Sequence, residues 1–158
     1  MSNVTTWLRQ LEAYVQEELG AQGRLTGLLE AQERALLTHA SDALTAASEA
    51  LQAEIAGSAA RARRRDELVG QLARAWSVDA SALTLASIAR RSGADGERLT
   101  RQRAELQRAS QRVQKLARRA NSAARLHSRL SGDIVRACLA AGGEADVDAG
   151  GALVNAEA

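Results

Sequence analysis

Apolar residues recur along most of this chain at intervals of three and four, the spacing of one face of an α-helix. From Leu8 the stripe reaches Leu11, Val15, Glu18, Gln22, Leu25, Leu29, Gln32 and Leu36, with Leu19, Leu28 and Leu37 widening it. This predicts a helix from Thr5 to Ala40 whose inner face carries polar layers at Glu18, Gln22 and Gln32. The segment His39-Ala40-Ser41-Asp42 breaks it. Ser41 or Asp42 is expected to cap the next helix by accepting a bond from a free backbone N–H. A second stripe predicts a helix from Asp42 to Trp76: Leu44, Ser48, Leu51, Ile55, Ser58, Ala62, Arg65, Val69, Leu72 and Trp76. The short connection makes the two helices antiparallel neighbours, which returns Trp76 to the end where Trp7 starts.

Residues 77–96 punctuate the pattern. Ser77 to Ala80 reads as a loop and Ser81 to Arg91 as a short helix with Leu83, Leu85 and Ile88 inward. Ser92 to Gly96 ends it, with Gly93 or Gly96 suited to a left-handed cap. A third long helix is predicted from Glu97 to Ala140, and its heptads are the cleanest in the chain. One seam is Leu99, Leu106, Val113, Ala120, His127 and Ile134; the other is Gln102, Ala109, Leu116, Ala123, Leu130 and Ala137. This helix is longer than the other two, so its C-terminal end is expected to overhang. From Ala141 the chain turns acidic, Gly-rich and aperiodic, which reads as a flexible tail. The expected fold is all-α: an antiparallel bundle or coiled coil of three long helices with one short inserted helix. Its expected domains are a helical bundle over 1–140 and the tail over 141–158.

Composition narrows the function classes. The 158 residues include 35 Ala and 21 Leu, no Pro, no Phe and 2% aromatics. A β-sandwich or barrel needs turns and β-branched or aromatic residues that this chain lacks, and a Rossmann-type enzyme needs apolar strand runs. What remains is a helical protein with a thin, alanine-rich core. The single cysteine, Cys138, cannot form an internal disulfide. No basic segment followed by an apolar run opens the chain, and no stretch approaches the ~20 apolar residues of a membrane span. A cytoplasmic protein without membrane insertion is therefore expected.

Charge is unevenly spread. Residues 1–60 carry a net charge of −5 and residues 97–140 a net +8. Helices of opposite sign attract each other within a bundle, and that use competes with phosphate binding by the basic segments. Of the 21 basic residues 20 are Arg, and Arg61 to Arg65 form a cluster. No aromatic is interleaved with these arginines for base stacking, so nucleic acid is not an expected partner. Catalytic patterns are lacking. His127 and Ser131 share a helix face, but Asp133 lies off it. His39, His127 and Cys138 are too scattered for a metal site. Gly93-Ala94-Asp95-Gly96 matches a bare G-x-x-G without flanking strands. No enzyme activity, catalytic residue, metal or cofactor is expected.

The pattern as a whole resembles a known family. A leucine-rich first helix contains Leu28-Leu29-Glu30-Ala31-Gln32-Glu33-Arg34-Ala35-Leu36-Leu37, and the second begins Asp42-Ala43-Leu44. A short insert follows, Leu83-Thr84-Leu85-Ala86-Ser87-Ile88, and then a long helix with Asn121 leading into Leu126, Leu130, Ile134 and Val135. Over residues 5–140 this resembles the FlgN-like flagellar export chaperones. The resemblance implies a cytoplasmic helper of type III export. Such a helper binds the C-terminal helical ends of hook–filament junction proteins, keeps them from self-associating and delivers them to the export gate. It implies hook-associated proteins and export-gate components as partners, and a monomer or weak dimer. The residues it points to for partner binding are Leu116, Ala120, Asn121, Ala124, His127, Leu130, Ile134 and Val135. A structural antiparallel coiled coil that self-associates is the alternative reading of the same seams.

Overall fold

Alanine and leucine are strong helix formers and no proline interrupts them, so the helices run long. The computed structural model describes the backbone of residues 2–154 and the side chains of residues 3–140, and no strand occurs among them. Helix α1 spans Ser2–Leu37, α2 spans Ser41–Trp76, α3 spans Leu85–Arg91 and α4 spans Glu97–Val154. By contact density the chain divides into two compact units, Met1–Ala120 and Asn121–Ala158. That boundary falls earlier than the expected end of the bundle domain at residue 140. Helix α4 also continues through the Gly-rich stretch to Val154. Glycine weakens a helix by about 1 kcal/mol per residue but does not block helical backbone angles, and no proline stops this one. Residues 155–158 of the expected tail lie outside the described residues.

In the first unit, polar pairs fix the direction of the helices. Between α1 and α2, Glu17 accepts from Arg64, Glu18 from Arg61, Glu54 from Arg24, and Ser48 from Gln32. The sequence separation falls steadily along α1, as an antiparallel hairpin requires. Between α1 and α4 the partners of Gln16, Glu30 and Glu33 lie a nearly constant 82–86 residues away, so these two helices run parallel.

The apolar side chains gather in two clusters. The first joins Leu8, Leu11, Tyr14 and Val15 of α1 to Leu68 and Leu72 of α2, Ile88 and Ala89 of α3 and Leu99 of α4. Trp7 and Trp76 both pack against it, so the two tryptophans mark one end, as expected. The second is smaller: Leu29 against Leu116 and Ala120, with Leu51 and Val113 at its edge. The α2 stripe is rotated from its expected line. Ile55 is 54% exposed and Arg65 faces solvent, while Glu54, Arg61 and Leu68 turn inward. A 3.6-residue turn drifts from a heptad line, and the ionic partners on α1 favour the drifted face.

Local chemistry also departs from expectation at the helix ends. Ala40 occupies the N-cap of α2 without a side-chain cap bond; Asp42 instead sits in the first turn, where its charge suits the helix dipole. His39 turns the chain with φ 53°. The insert forms a short 3-10 turn at Ala80–Ala82 before α3. Thr84 caps α3 through a reciprocal pair with Ser87: Ser87 N–H donates to Thr84 Oγ1 at 3.1 Å, and Thr84 N–H to Ser87 Oγ at 2.8 Å.

The two glycines after α3 have different jobs. Gly93 takes the left-handed conformation at φ 58°. Gly96 is buried, and a Cβ there would run into the carbonyl of Ala89, with the carbonyl carbon at 2.7 Å. This close approach seats α3 where α4 begins. Gly96→Ala is therefore expected to destabilise the first unit by about 2 kcal/mol through overpacking against rigid backbone, read by urea unfolding followed by far-UV circular dichroism.

Gln102 has the opposite defect. It is 6% exposed, among the core leucines, and its amide donates only long bonds to Glu12 O at 3.5 Å and Gln16 Oε1 at 3.3 Å. Its Oε1 has no partner. A buried acceptor without a partner costs about 1–3 kcal/mol. Gln102→Leu is expected to raise the unfolding midpoint in the same urea titration.

Candidate functional site

The expected partner-binding residues divide between the two units. In the first, Leu116 (8% exposed) and Ala120 (4%) are buried against Leu29 of α1. Their seam is used inside the chain, so these two are core residues of the bundle and offer no surface to a partner. The physical reason is that a heptad seam looks the same whether its partner is internal or external.

In the second unit the picture reverses. Asn121, Ala124, Leu130, Ile134 and Val135 are exposed and His127 is half-buried. Leu126, Leu130, Ile134, Val135 and Leu139 are each between 54% and 71% exposed. Leu126, Leu130 and Ile134 recur every four residues, and with Ala123 and Ala137 they occupy about 80° of the helix circumference. Large apolar side chains rarely stand in a contiguous exposed row without an interaction to serve. Leu126 and Leu139 were not among the residues expected to bind. Both lie off the two heptad seams, and they show only once the helix is seen uncovered.

The arginine cluster of α2 has a different use. Arg61, with a side chain only 12% exposed, donates to Glu18 at 3.0 Å and contacts Glu54 at 3.1 Å. Arg24 grips the same Glu54 with two bonds of 2.9 and 3.1 Å, and Gln22 donates to Glu18 at 3.0 Å. Arg64 reaches Glu17, and Arg65 reaches Asp66. On α4, Arg98, Arg112 and Arg119 reach Glu12, Glu30 and Glu33 of α1. Seven arginines of the first unit thus meet carboxylates within it. The sequence signal for this was the matching order of acids on α1 and arginines on α4.

Among the described residues no group of three His, Cys, Asp or Glu could hold a metal ion. No described helix is long and apolar enough to cross a membrane. An open cleft of about 500 Å³ lies beside α3, lined by Leu85, Arg103, Leu106, Gln107, Ser110, Gln111 and Gln114. It presents amides and a hydroxyl without a nucleophile–base pair, so its chemistry is that of a polar surface. No family model, no curated protein and no solved structure matches the chain.

The ionic layer makes a pH prediction. The Glu54 carboxyl is held below its ordinary value, first by the hydrogen bonds from Arg24 and then by the charges of Arg24 and Arg61, while burial opposes them. A lowered folded-state pKa adds stability that is complete above the unfolded value of about 4.3 and is lost as pH falls through the folded value. Glu54→Gln should therefore destabilise the hairpin at about pH 7, and the gap from the parent should shrink towards about pH 3, as measured by urea unfolding at both.

Proposed function

We propose that this chain is a non-catalytic export chaperone of the FlgN-like flagellar type. It would bind the C-terminal helical ends of hook–filament junction proteins in the cytoplasm and hold them apart until export. The observation that carries the reading is the exposed apolar row of Leu126, Leu130 and Ile134 along one face of α4, with Val135 and Leu139 exposed on the other side of the same helix. A helix that leaves such a row uncovered can take up an amphipathic helix of a partner, by helix-in-groove recognition or by completing a coiled coil. The leucine spacings and the short insert between the second and third long helices support the same reading.

The first unit supplies the support, since a binding helix is useful only if its root is fixed. Leu116 and Ala120 anchor α4 to α1 there. The binding residues of this proposal are Asn121, Ala124, Leu126, His127, Leu130, Ile134, Val135 and Leu139. A finer description of the fold belongs to the same proposal: a three-helix coiled-coil bundle whose third helix serves the client.

Leu130 is 54% exposed, so replacing it removes little internal packing. Leu130→Asp is expected to abolish binding of a hook–filament junction protein's C-terminal helix while leaving helicity nearly unchanged. Isothermal titration and far-UV circular dichroism on the full chain check the two halves of this expectation. Loss of the fold in that variant would place Leu130 in an internal core and overturn the site. Undiminished binding would overturn it as well.

A further inference from the structure

Beside the apolar row runs a column of positive charge. On a helical projection Arg125, Arg129 and Arg136 fall within about 40° of one another, and Arg129 lies about 60° from Leu126 at the edge of the row. All three are exposed. Asp133 is the one acidic residue between positions 121 and 140, and it pairs with Arg136. Arg125 and Arg129 have no carboxylate partner among the described residues. The opposite flank of the row carries His127, Ser131 and Cys138. Asp133 lies between Arg129 and Leu126 and is taken up by Arg136, so Arg125 and Arg129 are the uncompensated charges of this edge, and the other edge carries no arginine.

We infer that α4 selects an amphipathic partner helix with acidic residues along one edge of its apolar stripe, placed to meet Arg125 and Arg129. The inference rests on the docking function proposed above and adds the chemistry of the partner. Apolar contact supplies affinity without direction, and a one-sided charge column supplies direction and rejects helices with basic edges. A second copy of this chain fits poorly. Antiparallel pairing of two such rows sets arginine column against arginine column, and parallel pairing sets it against the His127, Ser131 and Cys138 flank. Among the described residues the one carboxylate on either flank is Asp133, and in each copy it is already paired with Arg136. An anionic membrane surface fits less well than a helix. No aromatic anchor occurs between residues 121 and 140, and the apolar arc is narrowed by Ala123 and Ala137, whereas interfacial helices carry bulky aromatic or leucine faces.

The test uses the full chain and three synthetic helical peptides with one Leu/Ala seam. One edge of the seam carries Glu, Gln or Lys. Vesicles of phosphatidylglycerol and phosphatidylcholine are titrated alongside. The Glu-edged peptide is expected to bind about tenfold more tightly than the Gln-edged one at low salt, with the gap closing as salt rises. In the double variant Arg125→Glu, Arg129→Glu the order of the Glu- and Lys-edged peptides should invert. Both substitutions are on exposed positions, and an unchanged circular dichroism spectrum checks the fold. Equal binding of all three peptides, abolished by Leu130→Asp, would overturn the charge selection and leave the docking face standing. No binding of any peptide would overturn both. Binding to phosphatidylglycerol vesicles in preference to every peptide would overturn the inference in favour of a membrane surface.

Discussion

The pairing of arginine with carboxylate across α1 sets the arrangement on which the rest of the first unit depends. Its core is rich in alanine and split into two clusters, so shape complementarity alone would allow the long helices to slide past one another. The ion pairs forbid that. Glu18 and Glu54 share Arg61, Arg24 closes on Glu54, and three arginines of α4 meet three acids of α1 in the same order. Each exposed pair adds at most about 1 kcal/mol. Their joint effect is on register, since a shift of one turn would break several at once and set like charges together. In this they resemble the flanking charges of coiled coils, which choose partner and orientation more than they add stability.

Much of the fold was legible from the spacing of leucines. The three long helices, the insert and the shared end of Trp7 and Trp76 follow from hydrophobic period and short connections. What the pattern concealed was which face meets what. Leu116, Ala120, Leu130 and Ile134 sit on one pair of seams, yet the first two are buried and the last two exposed. Period reports that a face is apolar and is silent on its cover, because the cover is set by where other helices end. The helix caps were missed for a related reason. Ser41 and Asp42 have the right chemistry, but the turn closed one residue earlier through a left-handed His39, which left Ala40 at the boundary. Thr84 was readable in principle, since a Thr followed three residues later by Ser can close the reciprocal bond.

The arginines offer the clearest lesson about charge in a sequence. Read singly, Arg61 to Arg65 and the basic third helix suggest a surface for phosphates. Against α1, Arg61 and Arg64 of α2 and Arg98, Arg112 and Arg119 of α4 each meet a carboxylate, the α4 pairs at a nearly constant separation. The informative residues are then the ones left over. Arg125 and Arg129 lie beyond the last such acid, beside a row of leucines, and that is why they point outward to a partner's chemistry.

The placement of the aromatic residues has a practical consequence. Trp7, Trp76 and the nearby Tyr14 all belong to the first cluster, and Arg91 stacks 5.6 Å from the Trp76 ring centre. The second cluster and the described part of the second unit contain no ultraviolet fluorophore of their own. Intrinsic emission therefore watches only the first cluster. A spectroscopist relying on it would be blind to events around Leu29 and Leu116. A tryptophan introduced at an exposed position of the apolar row would report on the second unit, and the two signals together would tell whether the two units melt together or separately.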